Sequence, residues 1–241
     1  MGEVIWLPYC GTAPVPGELW SRWNLDPVLL FALTLGIAAF LRWGGADSAR
    51  RRWFAAAMAL LALLFISPFC AITSALFAAR VTHHILLTAL VAPLLVAACP
   101  ARIRGGVALW VGLHAVVFWG WHAPPVYGWA LSSDAGYWLM QLSLLGSAFA
   151  LWNAIRIAPL PGAIAALLGT MVQMGLLGAL ITFAPAPLYA PHLLSTTAWG
   201  LTALEDQQLA GLIMWAPGAA VYLGAALLLL SRWFARERVA A

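Results

Sequence analysis

The chain has 241 residues, of which 64% are hydrophobic and only 8% charged, against roughly 45–50% and 25% in an ordinary soluble domain. That balance excludes a cytosolic globule, and it equally excludes disorder, which needs low hydrophobicity and high net charge. The formal charge of +4 comes from twelve basic residues, all Arg; they sit at the ends of apolar runs, so they mark membrane topology rather than a nucleic-acid partner.

Residues 1–25 form an outer N-terminal segment that carries Cys10 and lacks the basic start and short apolar core of a cleaved signal. Apolar runs bounded by Arg, Pro and Gly then predict seven spans, at 26–43, 53–78, 82–99, 106–122, 136–156, 162–183 and 206–233. Residues 234–241 are expected to be a cytoplasmic tail. The runs are too long and too uniformly apolar for barrel strands, which alternate in character. The expected fold class is therefore all-α, a polytopic membrane bundle of seven transmembrane helices forming one unit over 26–233. Sorting the Arg residues by side puts ten on one face, including Arg50, Arg51, Arg52 and Arg232, and only Arg22 and Arg80 on the other. Cytoplasmic loops hold the excess of positive charge, so the N-terminus is expected outside and the C-terminus in the cytoplasm.

That orientation sends most candidate chemistry outward. Imidazole, thiolate and thioether are ligands of soft and borderline metals, and His83, His84, His122, His192 and Cys10 all fall toward the outer face. His83 and His84 are adjacent and point about 100° apart on a helix, so one of them, not both, is expected at any one ion. His122 lies in Trp121-His122-Ala123-Pro124-Pro125, where a proline-stiffened turn fixes the ring; it is either a ligand or a partner of a backbone carbonyl. His114 lies deeper and is either functional or bonded across helices. Cys10 and Cys70 can meet as a disulfide or as a thiolate pair, and the sequence leaves that choice open. Met171 and Met174, three apart, are either a thioether pair or packing residues.

The second concentrated signal runs from Thr202 to Trp215. Thr202 and Glu205 have the spacing of a capping box, while Gln207, Gly211, Met214 and Gly218 follow one helical stripe and Pro217 frees the carbonyl of Ile213. No metalloprotease helix, nucleophile elbow or Ser-His-acid grouping is found, and the chain is read as a non-enzyme.

These residues together resemble a known family, the CtaG-type cytochrome c oxidase assembly factors, multi-span proteins associated with copper-site formation in haem-copper oxidases. The most specific stretch is Leu204-Glu205-Asp206-Gln207-Gln208-Leu209-Ala210-Gly211-Leu212-Ile213-Met214-Trp215 followed by Pro217-Gly218. Trp121-His122-Ala123-Pro124 with Tyr127, His84-Ile85-Leu86-Leu87 with Ala92-Pro93, and Pro8-Tyr9-Cys10-Gly11 add to it. The chain departs from the family pattern at three places: Arg80 stands where many relatives show His, and Tyr137 and Gln141 stand where relatives often show two His four apart.

The resemblance implies an assembly factor of the bacterial inner membrane that helps copper delivery or copper-site formation from the periplasmic side. It implies copper as the metal, with terminal oxidase subunits, a periplasmic copper chaperone and the lipid bilayer as partners, and no nucleic acid. His84 and His122 are then the expected core ligands, His83, Cys10 and His192 auxiliary ones, and Glu205, Asp206 and Met214 an entrance or docking face. The alternatives are a membrane copper transporter, with Met171, Met174 and His114 along its path, and a structural or haem-binding oxidase subunit in which His84 and His122 hold haem.

Overall fold

A computed structural model describes residues 8–44 and 47–240; the expectations for residues 1–7 and 241 lie outside the described residues. It is all-helical, with about 80% helix and no strand among the described residues. Eleven α-helices follow in order among them: α1 (Pro27–Trp43), α2 (Ser48–Phe65), α3 (Pro68–Ala75), α4 (Phe77–Ile85), α5 (Ala92–Ala98), α6 (Val107–His122), α7 (Pro124–Ala130), α8 (Asp134–Ile157), α9 (Leu160–Thr182), α10 (Ala203–Ile213) and α11 (Ala219–Ala240).

Local sequence explains the boundaries. Asp26 caps α1 by accepting from the Leu29 N–H at 2.8 Å, with Pro27 at the first helical position. Ser67 caps α3 in the same way, again followed by proline, and this new start bends the chain by 48° from α2. The expected span at 53–78 is therefore a broken pair, because Pro68 has no N–H with which to continue the α2 ladder. Two π-helical turns, Leu86–Val91 between α4 and α5 and Met214–Gly218 between α10 and α11, interrupt otherwise continuous helices. Each has a proline in or just after it, Pro93 and Pro217, whose ring cannot coexist with an ordinary i−4 carbonyl bond.

Four helices are long and apolar enough to cross a membrane: Phe77–Ala98, Asp134–Ile157, Leu160–Thr182 and Ala203–Arg238. The α2–α3 pair makes a fifth if counted as one bent span, and the runs expected at 26–43 and 106–122 are apolar helices of 17 and 16 residues. Within the expected tail at 234–241, α11 continues to Ala240; Ala-Arg-Glu-Arg is a run of good helix formers.

Side chains sort opposite to those of a soluble protein. Val116 is 71% and Phe31 68% exposed, whereas Arg80, His83, His84, His114 and Asp206 are fully buried. A lipid surround accounts for both halves of this pattern, since apolar side chains face hydrocarbon and ionisable ones face the bundle interior. Within the bundle α9 packs along α10 and α11, α6 lies on α8, and α4 lies on α10. The α9–α10 approach rests on glycines: a Cβ built on Gly211 would stand 2.5 Å from the Gly178 carbonyl oxygen and 2.7 Å from the Thr182 nitrogen.

Candidate functional site

The histidine-bearing helix α4 has no side-chain cap from its own sequence. Its first N–H groups are met from across the bundle: the Asp206 carboxylate accepts from the Phe77 N–H at 2.7 Å and the Ala78 N–H at 3.1 Å. A buried carboxylate on a helix N-terminus is favoured by both the hydrogen bonds and the helix dipole. Asp206 is held in turn by the first turn of α10, where Thr202 and Glu205 form the capping box that the spacing predicts. Next to it the Gln207 side chain accepts from the Leu188 N–H at 2.6 Å and donates to the carbonyls of Ile181 and Ala186. Of the residues expected at an entrance or docking face, only Glu205 is exposed. Asp206 and Met214 are fully buried, so neither lies on an exposed face: Asp206 bonds the start of α4 and Met214 belongs to the hydrophobic core.

This scaffold places His84 against His122. His84 Nδ1 and His122 Nε2 are 3.5 Å apart, with the rings nearly perpendicular at 88°. His122 Nδ1 lies 2.7 Å from the Phe118 carbonyl oxygen; a carbonyl only accepts, so Nδ1 carries the proton. In a neutral ring that leaves Nε2 with its lone pair directed at His84. The Tyr189 hydroxyl donates to the His122 backbone carbonyl at 2.8 Å and fixes the end of α6. Two rings already in contact leave no room for a macrocycle between them, so this pair does not fit axial haem ligation.

The remaining expected ligands are dispersed. His83 turns away from His84, as the 100° step requires, and packs edge-on against Phe65 and face-on to Phe69. His192 is buried in the loop between α9 and α10, where its Nε2 shares a 2.7 Å hydrogen bond with the Tyr127 hydroxyl. Burial, and then the positive charge of Arg80, lower its pKa to about 3, so it stays neutral. Cys10 is joined to Cys70 in a disulfide across 60 residues; a disulfide sulfur offers no thiolate, which removes Cys10 from the ligand set in this oxidised form. His114 Nδ1 hydrogen-bonds Ser147 across helices at 3.0 Å. The Met174 side chain packs on the Cα of Gly218, where an added Cβ would approach it to 2.8 Å. Among the described residues no group of three or more His, Cys, Asp or Glu is arranged to hold a metal ion.

The three departures from the family pattern converge. Arg80 lies over the ring of Tyr137, 5.2 Å from its centroid, and Gln141 follows one turn along α8 on the same buried face. Sequence reasoning noted these residues one at a time; their meeting depends on how α4 and α8 pack, and no local signal carries it. Tyr127 and Tyr189, which brace His192 and His122, were likewise not singled out as site residues, although Tyr127 stands within the quoted Trp121–Tyr127 stretch.

Comparison with curated proteins and with solved structures finds no match. A family model described as cytochrome c oxidase caa3 assembly factor matches residues 30–111 and 106–236, most of the chain. Such coverage includes every buried histidine and the Thr202–Gly218 stretch, and the chain therefore belongs to the cytochrome c oxidase caa3 assembly factor (Caa3_CtaG) family.

Proposed function

We propose that this protein assists assembly of a haem-copper oxidase by holding copper, as cargo, between His84 and His122 on the periplasmic side of a bacterial inner membrane. The observation that carries the reading is the pair itself. Two metal–nitrogen bonds of about 2.0–2.1 Å span a 3.5 Å nitrogen separation at an open angle of about 115–120°, so both rings reach one ion with little movement. Two imidazoles and no carboxylate suit a soft ion of low charge. Arg80 sits one turn before His84 on α4, and its repulsion of a bound cation grows with the ion's charge, which favours Cu(I) over Cu(II). Fixing of the His122 proton by Phe118 keeps the donor lone pair available, and the neighbouring aromatic rings exclude water.

In this reading the chain crosses the membrane seven times, through α1, α2–α3, α4–α5, α6, α8, α9 and α10–α11, with the N-terminus outside. The ten-to-two partition of Arg supports the orientation. Helices α1 and α6, about 26 and 24 Å long at 1.5 Å per residue, are short for a 30 Å core and are accommodated by local thinning. The protein takes copper from a periplasmic chaperone and presents it to an oxidase subunit docked on the outer face.

Copper content of the detergent-purified protein, loaded with Cu(I) under reducing conditions, tests the proposal. Wild type should retain about one equivalent and the His84→Ala/His122→Ala double variant none, while His114→Ala retains it. Unchanged copper in the double variant refutes the assignment.

A further inference from the structure

Arg80 is fully buried, yet none of Nε, Nη1 and Nη2 has a hydrogen-bond acceptor. The Tyr137 ring covers one face of the guanidinium, which leaves its five N–H groups along the edge unanswered. Asp206, whose carboxylate meets the start of this helix, has its two oxygens directed at the Phe77 and Ala78 N–H groups instead. Neutral donors gather round the same place. His83, one turn on, has both ring nitrogens bare, and His192 Nδ1 is bare as well. The hydroxyls of Tyr127 and Tyr137 also stand beside the guanidinium, toward which their oxygens can act only as neutral acceptors. A permanent charge in a protein interior requires a compensating charge or a full set of acceptors, and the side chains gathered here are neutral, with no carboxylate bonded to the guanidinium.

We propose that Arg80 anchors an enclosed site for a small monovalent anion of the size of chloride or formate, bound at the guanidinium edge with His83 and His192 as neutral donors, the Tyr127 O–H being engaged by His192 Nε2. One positive charge selects one negative charge: a divalent oxyanion would leave excess charge in the bundle. Guanidinium geometry suits a carboxylate bidentately and a halide at the fork between its nitrogens. The site goes beyond copper handling and does not depend on it, because the anion is held by metal-free protein. An anion there also offsets the repulsion that Arg80 exerts on a cation at His84 and His122.

The test uses the full-length, copper-free protein in detergent at constant ionic strength, with sodium gluconate replaced stepwise by sodium chloride or sodium formate. The unfolding midpoint should rise saturably by about 3 °C or more once the anion is in large excess over Kd, and Arg80→Gln should abolish the rise. Crystals grown in bromide should show an anomalous peak within hydrogen-bonding distance of the guanidinium, a readout that holds even if the variant fails to fold. A midpoint indifferent to the anion, or a bromide map with water-like density only at Arg80, overturns the site. Neither result bears on copper retention by His84 and His122.

Discussion

Replacing Asp206 should loosen the histidine helix from a distance, since its carboxylate belongs to α10 and its partners to α4. Asp206→Ala removes two charge-assisted hydrogen bonds, to the N–H groups of Phe77 and Ala78 at 2.7 and 3.1 Å. Each such bond contributes about 1.5–3 kcal/mol. Relief of the carboxylate's own desolvation offsets part of that, and the net loss should be about 3 kcal/mol, equivalent to a factor of about 150 in the folding constant. Asp206→Asn keeps one acceptor oxygen but turns an NH2 toward the second N–H, so it should lose roughly 1.5–2 kcal/mol. Denaturant- or SDS-driven unfolding in mixed micelles, followed by tryptophan fluorescence, measures both. Glu205→Ala, exposed in the capping box, should have a smaller effect. Loss of less than about 0.5 kcal/mol in Asp206→Ala, or an Asn variant as impaired as the Ala variant, would refute capping in trans as the source of α4 stability.

Further outcomes follow from other contacts. Gly211→Ala, whose new methyl meets the Gly178 carbonyl and Thr182, should cost about 1–3 kcal/mol by overpacking, whereas Gly224→Ala, with nothing within 4 Å, should be neutral or stabilising in the same assay. Reducing the Cys10–Cys70 bridge, or replacing both with Ser, should lower stability by about 4 kcal/mol for a 60-residue loop, read as a fall in melting midpoint. His192 is held neutral down to about pH 3 against an ordinary value near 6.5, so the unfolded state protonates first. Stability should be level above pH 6.5 and fall by up to about 1.4 kcal/mol per pH unit between 6.5 and 3; a pH series of melts should lose that slope in His192→Gln. Leu194, 91% exposed in the loop between α9 and α10, replaced by Cys in a Cys99→Ala background, should react with an impermeant maleimide from the periplasm alone; labelling confined to the cytoplasmic side would reverse the proposed orientation.

The all-helical class was legible because runs of about twenty apolar residues leave a membrane protein few alternatives. The 100° step between His83 and His84 foretold that they part, and the ring geometry follows it: one faces His122, the other Phe65 and Phe69. The capping box at Thr202 and Glu205 was readable because it is local. What escaped was depth and partnership. Asp206 looked like a first-turn acid on the surface, yet its bonds run to residues 128 and 129 positions away. Cys10 was equally open between disulfide and ligand, since only folding brings α3 under the N-terminal segment. The break at Ser67–Pro68 was passed over because the apolar run continues through it; hydropathy averages across a bend that a cap and a proline impose.

The Met214–Gly218 turn lies against the end of α4, with Ile85 and Gly218 near contact, and each of the two π-helical turns stores one residue more than an α-turn needs. Deleting a single residue from Leu86–Val91 would restore a regular ladder and swing everything upstream about a third of a revolution relative to everything downstream. His84 would then lose its view of His122 without either imidazole being altered. Spacing along this helix, and not composition alone, is thus a heritable property of the pair, and insertions or deletions at these two turns amount to changes of aim.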